Sequence, residues 1–256
     1  GQRIERRGWG TINDVAWSPD SRSLALATTT GIRLVDAGSL ELLGEYPTEG
    51  QVRAVAFSAD GSRLAGALND QGIALWSVGS PAVEKLLEVP GADWSDWVSG
   101  LHFSGDGRWV AVTWHRVLYV WNVQTGFRRL QIHPQEPDLS IPLVVGFLPG
   151  HSRLLYADQA QLYALDVETR ALEVVAPFGH PSPGAWAVDA AGTRMARGGC
   201  GELNLYTAGQ DTPRTTLLPD DTCLEQVVFS GDGSGLQRWQ LAALTAAGSL
   251  YLIDKD

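Results

Sequence analysis

Short apolar runs separated by tight polar turns recur along the whole chain. The clearest copy is Ala54-Val-Ala-Phe-Ser-Ala-Asp-Gly-Ser-Arg-Leu-Ala65: an apolar strand, a reversal at Asp60-Gly61, then a second apolar strand. Variants are Val15-Ala-Trp-Ser-Pro-Asp20, Leu101-His-Phe-Ser-Gly-Asp106, Val145-Gly-Phe-Leu-Pro-Gly150, Trp186-Ala-Val-Asp-Ala190 and Val227-Val-Phe-Ser-Gly-Asp232. Their centres are Trp17, Phe57, Phe103, Phe147, Val188 and Phe229, spaced by 40, 46, 44, 41 and 41 residues. A period in this range marks a repeat architecture.

Seven positions after each centre an apolar residue starts the second strand: Leu24, Leu64, Val110, Leu154, Met195 and Leu236. Turn residues such as Pro19-Asp20, Asp60-Gly61 and Asp106-Gly107 fill the interval and favour hairpins. A third strand follows, as in Ile73-Ala-Leu-Trp-Ser77 and Leu118-Tyr-Val-Trp-Asn122, and a polar turn leads to a fourth, as Gln124-Thr-Gly126 does. No stretch has the length and 3.6-residue period of a helix. One small sheet cannot bury both faces, whereas radial stacking buries them between neighbours. A solenoid would need polar caps, and neither end resembles one. The pattern therefore predicts an all-β, six-bladed β-propeller of four-stranded antiparallel blades, a single domain over residues 1–256. The sixth unit stops after its third strand, while residues 2–7 form an extra strand-like segment. Pairing the two would complete the last blade and close the ring, removing an exposed edge.

Composition narrows the partners. A net charge of −10 argues against nucleic-acid binding, which depends on Lys and Arg neutralising phosphates. Lys85 and Lys255 are the only lysines, and with abundant Ala, Gly and Arg this points to a GC-rich bacterial gene. No apolar run approaches the length that spans a bilayer as a helix, so no membrane association is expected. The chain opens Gly1-Gln2 and reads as a domain excised from a larger protein. Cys200 and Cys223 make no disulfide framework; two free thiols in a reducing cytoplasm is the expectation, with a disulfide as the alternative and an extracytoplasmic setting left open.

The repeat Val-Ala-Phe-Ser-Ala-Asp-Gly-Ser-Arg-Leu-Ala followed by Ile-Ala-Leu-Trp-Ser resembles the WD-repeat (WD40-like) β-propeller family, over essentially the whole chain. Val35-Asp36, Trp76-Ser77, Trp121-Asn122, Leu165-Asp166, Tyr206-Thr207 and Ile253-Asp254 stand at the family's Trp-Asp position, none of them a literal Trp-Asp. The family's Gly-His pair is mostly absent. The repeats are degenerate, so blade stability is expected to rest on apolar packing more than on the family's buried polar network. Six-bladed propellers of the Tol-system type are the second resemblance. Both imply a rigid platform whose loops carry the function.

On that platform the loops entering each unit and the turns between strands two and three share one face. Asp70, Asp93, Asp96, Glu136, Asp138, Asp158, Asp220 and Asp221 fall there. Arg22, Arg63, Arg108, Arg153, Arg194, Arg128, Arg129 and Arg170 fall on the other, near Asp20, Asp60, Asp106 and Glu168. Local ion pairing is the bland explanation; a disc polarised to dock oppositely charged partners is the functional one. The longest loop, Pro90–Trp97, carries Asp93, Trp94, Asp96 and Trp97, with Trp114 and His115 on the same face of the same blade. Aromatics with a polar rim are enriched in binding hot spots. These six residues form the candidate partner-binding site, against the alternative that the tryptophans fold back as packing. His102, His115, His133, His151 and His180 show no close metal-ligand spacing. No nucleophile motif or acid–base pair stands out. The expectation is a non-catalytic, monomeric protein- or peptide-binding module without cofactor or metal, acting as scaffold or sensor. A small-ligand or hydrolytic propeller using the central funnel is the rival.

Overall fold

The computed structural model describes residues 11–69, 71–91, 97–133, 143–148, 152–157, 161–177, 185–188, 194–207, 214–218, 222–229, 239–245 and 250–254. The first sheet joins β1 (Ile12–Trp17), β2 (Ser23–Thr28), β3 (Gly31–Asp36) and β4 (Leu42–Pro47). The second joins β5 (Val52–Phe57), β6 (Arg63–Leu68), β7 (Gly72–Ser77) and β8 (Val83–Glu88). The third has β9 (Val98–Phe103), β10 (Trp109–Trp114), β11 (Val117–Asn122) and β12 (Arg128–Ile132). The fourth has β13 (Leu143–Phe147), β14 (Arg153–Ala157), β15 (Gln161–Asp166) and β16 (Leu172–Pro177). The fifth has β17 (Ala185–Val188), β18 (Arg194–Gly198), β19 (Glu202–Thr207) and β20 (Arg214–Leu217). The last contains β21 (Leu224–Phe229), β22 (Trp239–Thr245) and β23 (Leu250–Asp254).

Within each sheet the strands pair in chain order, antiparallel throughout. Between sheets the first strands touch in succession, β1 to β5 to β9 to β13 to β17 to β21, and β21 returns to β1. That is the propeller arrangement. Five blades are complete with four strands; the sixth sheet has three. Residues 2–7, expected to supply its fourth strand, lie outside the described residues, so six complete blades are not shown.

Apolar side chains fill the seams between blades. Between blades two and three, Ala65, Ile73, Leu75 and Leu87 meet Val110, Val112, Trp114 and Trp121, all buried. Between blades one and two, Ile32 and Tyr46 meet Val55, Leu64 and Trp76. Trp17, Leu24 and Leu26 pack on Ala242 and Leu244, so the sixth sheet is sealed against the first by the same means. Burial of a side chain of this size is worth about 1.5–3 kcal/mol.

The recurrent turn is held by two of its polar residues. In blades one, two and three, Ser18, Ser58 and Ser104 donate to Asp20, Asp60 and Asp106 at 2.6, 2.6 and 2.5 Å. The same hydroxyls accept the Ser23, Arg63 and Trp109 amides, each at 2.9 Å. These carboxylates also cap a backbone amide two residues on, an Asx-type turn. The Asp20 and Asp60 carboxyls are held below the usual carboxylate range, first by the Ser hydroxyl hydrogen bond. A second Asx turn closes the third-to-fourth strand reversal in blades one, three and four at Asp36, Asn122 and Asp166, the residues that follow the expected Trp-Asp tryptophan position.

At the channel, the free edge of an innermost strand exposes amides that need acceptors. The Val15 amide donates to Gln226 Oε1 of the sixth sheet (3.0 Å) and to Asp14 Oδ1 (2.8 Å). The Val55 amide donates to Asp14 Oδ2 (2.7 Å), and the Val144 amide to Thr113 Oγ1 (3.2 Å). Side chains of one blade thus satisfy the edge of the next. Asp14 follows a register shift between Ile12 and Asp14, one extra residue that displaces it from strict alternation. Burial pushes the Asp14 carboxyl up to about 8, opposed by its two amide hydrogen bonds.

Candidate functional site

The candidate site sits at one end of blade three, where the residue before β9 meets the turn between β10 and β11. Trp114 and Val117 pair directly, so His115-Arg116 is a two-residue hairpin loop. Both residues have left-handed backbone, with φ of 45° and 67°. Hairpins of this kind favour Asn-Gly, because non-glycine residues at positive φ are strained by about 1 kcal/mol or more. Here that conformation carries a histidine and an arginine, both exposed. The His115 amide donates to the Trp97 carbonyl at 2.9 Å, which ties the end of the Pro90–Trp97 loop to the turn. Trp97 is 50% exposed. An exposed tryptophan, a histidine and an arginine are therefore carried by neighbouring backbone segments joined by a hydrogen bond.

Of the six expected residues, Trp97 and His115 come together here. Trp114 is a correction: it is 1% exposed and packs in the seam of blades two and three, so it is core and offers nothing to a partner. Its position in β10 points it inward, one residue before the turn points His115 out. Asp93, Trp94 and Asp96 lie outside the described residues, as do all eight acids assigned to this face. Arg116 was not singled out from the sequence. The direct Trp114–Val117 pairing makes it a loop-tip residue, and only the strand register shows that.

On the opposite face the arginines meet carboxylates. Arg108 pairs with Asp106 (3.5 Å) and with Glu168 of the next blade, Arg153 pairs with Glu173, and Arg63 approaches Glu84 at 3.9 Å. Local pairing, the bland explanation, holds for these three.

Cys200 and Cys223 form a disulfide, correcting the expectation of free thiols. Cys200 lies in the turn between β18 and β19, Cys223 just before β21, and the two residues face each other as an isolated antiparallel bridge. The Gly201 amide donates to the Thr222 carbonyl (2.9 Å) and the Leu224 amide to the Gly199 carbonyl (3.2 Å), flanking the pair.

His102, in β9, is held down to about 4 by burial. It and Asp14 are the described groups with the largest shifts, and both are structural parts of channel-side strands. No group of three potential metal-ligating side chains gathers among the described residues. No helix among them is long and apolar enough to cross a membrane.

Comparison with known proteins agrees with the geometry. Residues 40–77 and 84–122 match the family described as WD domain, G-beta repeat. These spans begin at or just before the outer strand of one blade and run to the third strand of the next, so the matched units straddle the seams of blades one to three. No curated protein matches the sequence. Among solved structures, the Cps50 (Swd1) β-propeller domain of Myceliophteria thermophila is similar over 96% of this chain and 84% of its own, with a TM-score of 0.64 and 16% identity. The resemblance to WD-repeat propellers is thereby shown, and identity this low speaks for the fold alone. The buried indole N–H groups of Trp17 and Trp76 find no partner among the described residues. A Cβ at Gly66 would stand 2.9 Å from the Trp76 ring, so the glycine leaves the room that the indole occupies.

Proposed function

We propose that this propeller is a non-catalytic protein-interaction module that captures a protein or peptide partner on the face bearing Trp97, His115 and Arg116. The observation that carries the reading is the strained, exposed His115-Arg116 turn hydrogen-bonded to a half-exposed tryptophan. Backbone strain at exposed residues persists only when the surroundings enforce it, and such positions cluster at functional sites. Asp93, Trp94 and Asp96, from the loop that ends at Trp97, would add a second aromatic and two acids to the same surface. A rigid aromatic beside charged side chains is the composition of an interface hot spot. Among the described residues the non-catalytic reading is supported by Asp14, whose carboxylate is spent on the Val15 and Val55 amides and is buried.

In the same reading residues 2–7 pair with β23 as the fourth strand of the sixth blade, giving a closed, monomeric six-bladed disc. The test uses the protein as bait on a genome-encoded peptide display library, with the Trp97→Ala and His115→Gly variants beside it. Peptides captured by the wild type should be lost by at least about tenfold in affinity with Trp97→Ala, with unchanged melting. Retention of every captured peptide by both variants would refute the assignment.

A further inference from the structure

The most exposed large apolar side chain in the described structure is on the opposite face. Phe127 is 77% exposed and closes the turn between β11 and β12. The turn beneath it is tightly determined. Asn122 Oδ1 accepts from the Thr125 amide and hydroxyl at 2.9 and 3.1 Å, and the Gly126 amide donates to the Asn122 carbonyl at 2.8 Å. Gly126 has φ 75°, a value open to glycine at little cost. The Phe127 carbonyl accepts from the Asn122 amide at 2.9 Å. From blade two, Lys85 Nζ donates to the Val123 carbonyl at 3.0 Å and to that of Gln124. A phenyl ring left in water on a turn held this firmly is presented, since the ordering that binding would require is already in place.

Cations surround the turn. Lys85 clamps it, Arg128 and Arg129 follow Phe127, and the Arg108 carbonyl accepts the Val123 amide at 2.9 Å. Arg108 is matched by Asp106 and Glu168. The partners of the other three are uncharged. Lys85 meets carbonyls, Arg129 donates to the Val167 and Glu168 carbonyls at 3.2 and 2.6 Å, and Arg128 lies 5.7 Å over the Tyr119 ring. Two carboxylates thus face four fixed cations among the described residues, a local positive excess on a chain of net charge −10.

From this we infer that the Phe127 turn, with Lys85, Arg128 and Arg129, is a second docking surface, built for an acidic peptide segment that carries an aromatic or aliphatic anchor. The anchor would cover Phe127, and flanking carboxylates would reach guanidinium and ammonium protons left by the carbonyl contacts. Each Arg has five N–H donors and Lys three, more than the contacts above consume. Such pairs steer association and set register.

The surface is independent of the Trp97 face, so each can fail alone. The test titrates the intact chain into fluorescein-labelled Gly-Glu-Asp-Leu-Phe-Asp-Glu-Gly and, separately, Gly-Lys-Arg-Leu-Phe-Arg-Lys-Gly, read by anisotropy at low salt. The acidic peptide should saturate and the basic one should not. Phe127→Ala, a change of an exposed side chain, should weaken the acidic peptide by at least about tenfold with unchanged melting. Arg128→Gln should weaken it less and flatten its salt dependence, while Trp97→Ala should leave it unaltered. Equal affinity for both peptides, or full binding by Phe127→Ala, overturns the inference. So does Phe127-dependent self-association without peptide, which would make a second copy the occupant.

Discussion

The seam between blades two and three and the seam between blade five and the sixth sheet hold the same ring by different means. The first buries large side chains: Leu87, Val112, Trp114 and Trp121, with Tyr119 stacked on Trp121 at 5.4 Å. The second packs Ala187, Ala196 and Ala243 against Leu203, Leu224, Leu241 and Phe229, with no tryptophan in its buried cluster among the described residues, and adds a specific link. Cys200–Cys223 joins blade five to the sixth sheet; at the next two seams, where Trp17 and Trp76 are buried, Gln226 reaches Val15 and Asp14 reaches Val55. At the seam with the smaller side chains a covalent contact supplements the packing. Lys85, on the outer rim of the aromatic seam, contributes polar contacts there too, but peripherally.

The sharpest way to break this contrast is to remove an aromatic from the first seam. Trp121→Ala deletes a side chain only 2% exposed and should cost about 3–5 kcal/mol, seen as a large drop in the urea midpoint. A loss no larger than that of a surface substitution would mean that the seam is not the stronger region. The covalent link comes next. Cys200→Ser with Cys223→Ser opens a loop of 23 residues and should cost about 3 kcal/mol by chain entropy. Hydrogen exchange should then rise first at residues 199–201 and 222–224, leaving the aromatic seam protected. Uniform loss of protection around the ring would erase the distinction between the two regions.

The polar link gives the smallest effect and a signed pH dependence. Asp14 is raised to about 8 when folded, against 3.8 for the ordinary group, so between these values the folded chain holds a proton that the unfolded one has released. Stability from this group falls as pH rises through that window. His102, lowered to about 4 from 6.5, acts oppositely: below 6.5 the unfolded chain takes up the proton first, so stability falls as pH falls. The two slopes oppose each other between about pH 4 and 6.5, and Asp14 acts alone from about 6.5 to 8. Thermal melting should therefore decline across that upper window, and Asp14→Asn should flatten the decline. A decline that persists in the variant assigns it to other groups.

Much of this frame is legible in the chain itself. Ser58, Asp60 and Gly61 sit at one turn, within hydrogen-bonding reach of one another in sequence, so the reversal can be read locally. The alternation of Ile73, Leu75 and their neighbours does the same for the strands. The disulfide could not be read that way, because Cys200 belongs to a turn in one blade and Cys223 to the approach to the next. Only the register of two sheets brings them face to face. Trp97 and Trp114 look alike in sequence; one residue of strand register decides that Trp114 is core and the neighbouring turn is surface. Phe127 stands beside two arginines in sequence, and its exposure depends on what the adjacent blades leave uncovered.

The sequence by itself determined the repeat, the antiparallel strands and the turns that separate them, because those depend on side-chain alternation and on hydrogen bonds between residues a few positions apart. Tertiary structure alone decided which cysteine meets which, which tryptophan is buried, how Asp14 and Gln226 satisfy their neighbours' edges, and which faces present Trp97 and Phe127. Those outcomes depend on how sheets stack around the ring, a long-range packing problem in which contacts join residues distant in sequence. No single repeat contains that information.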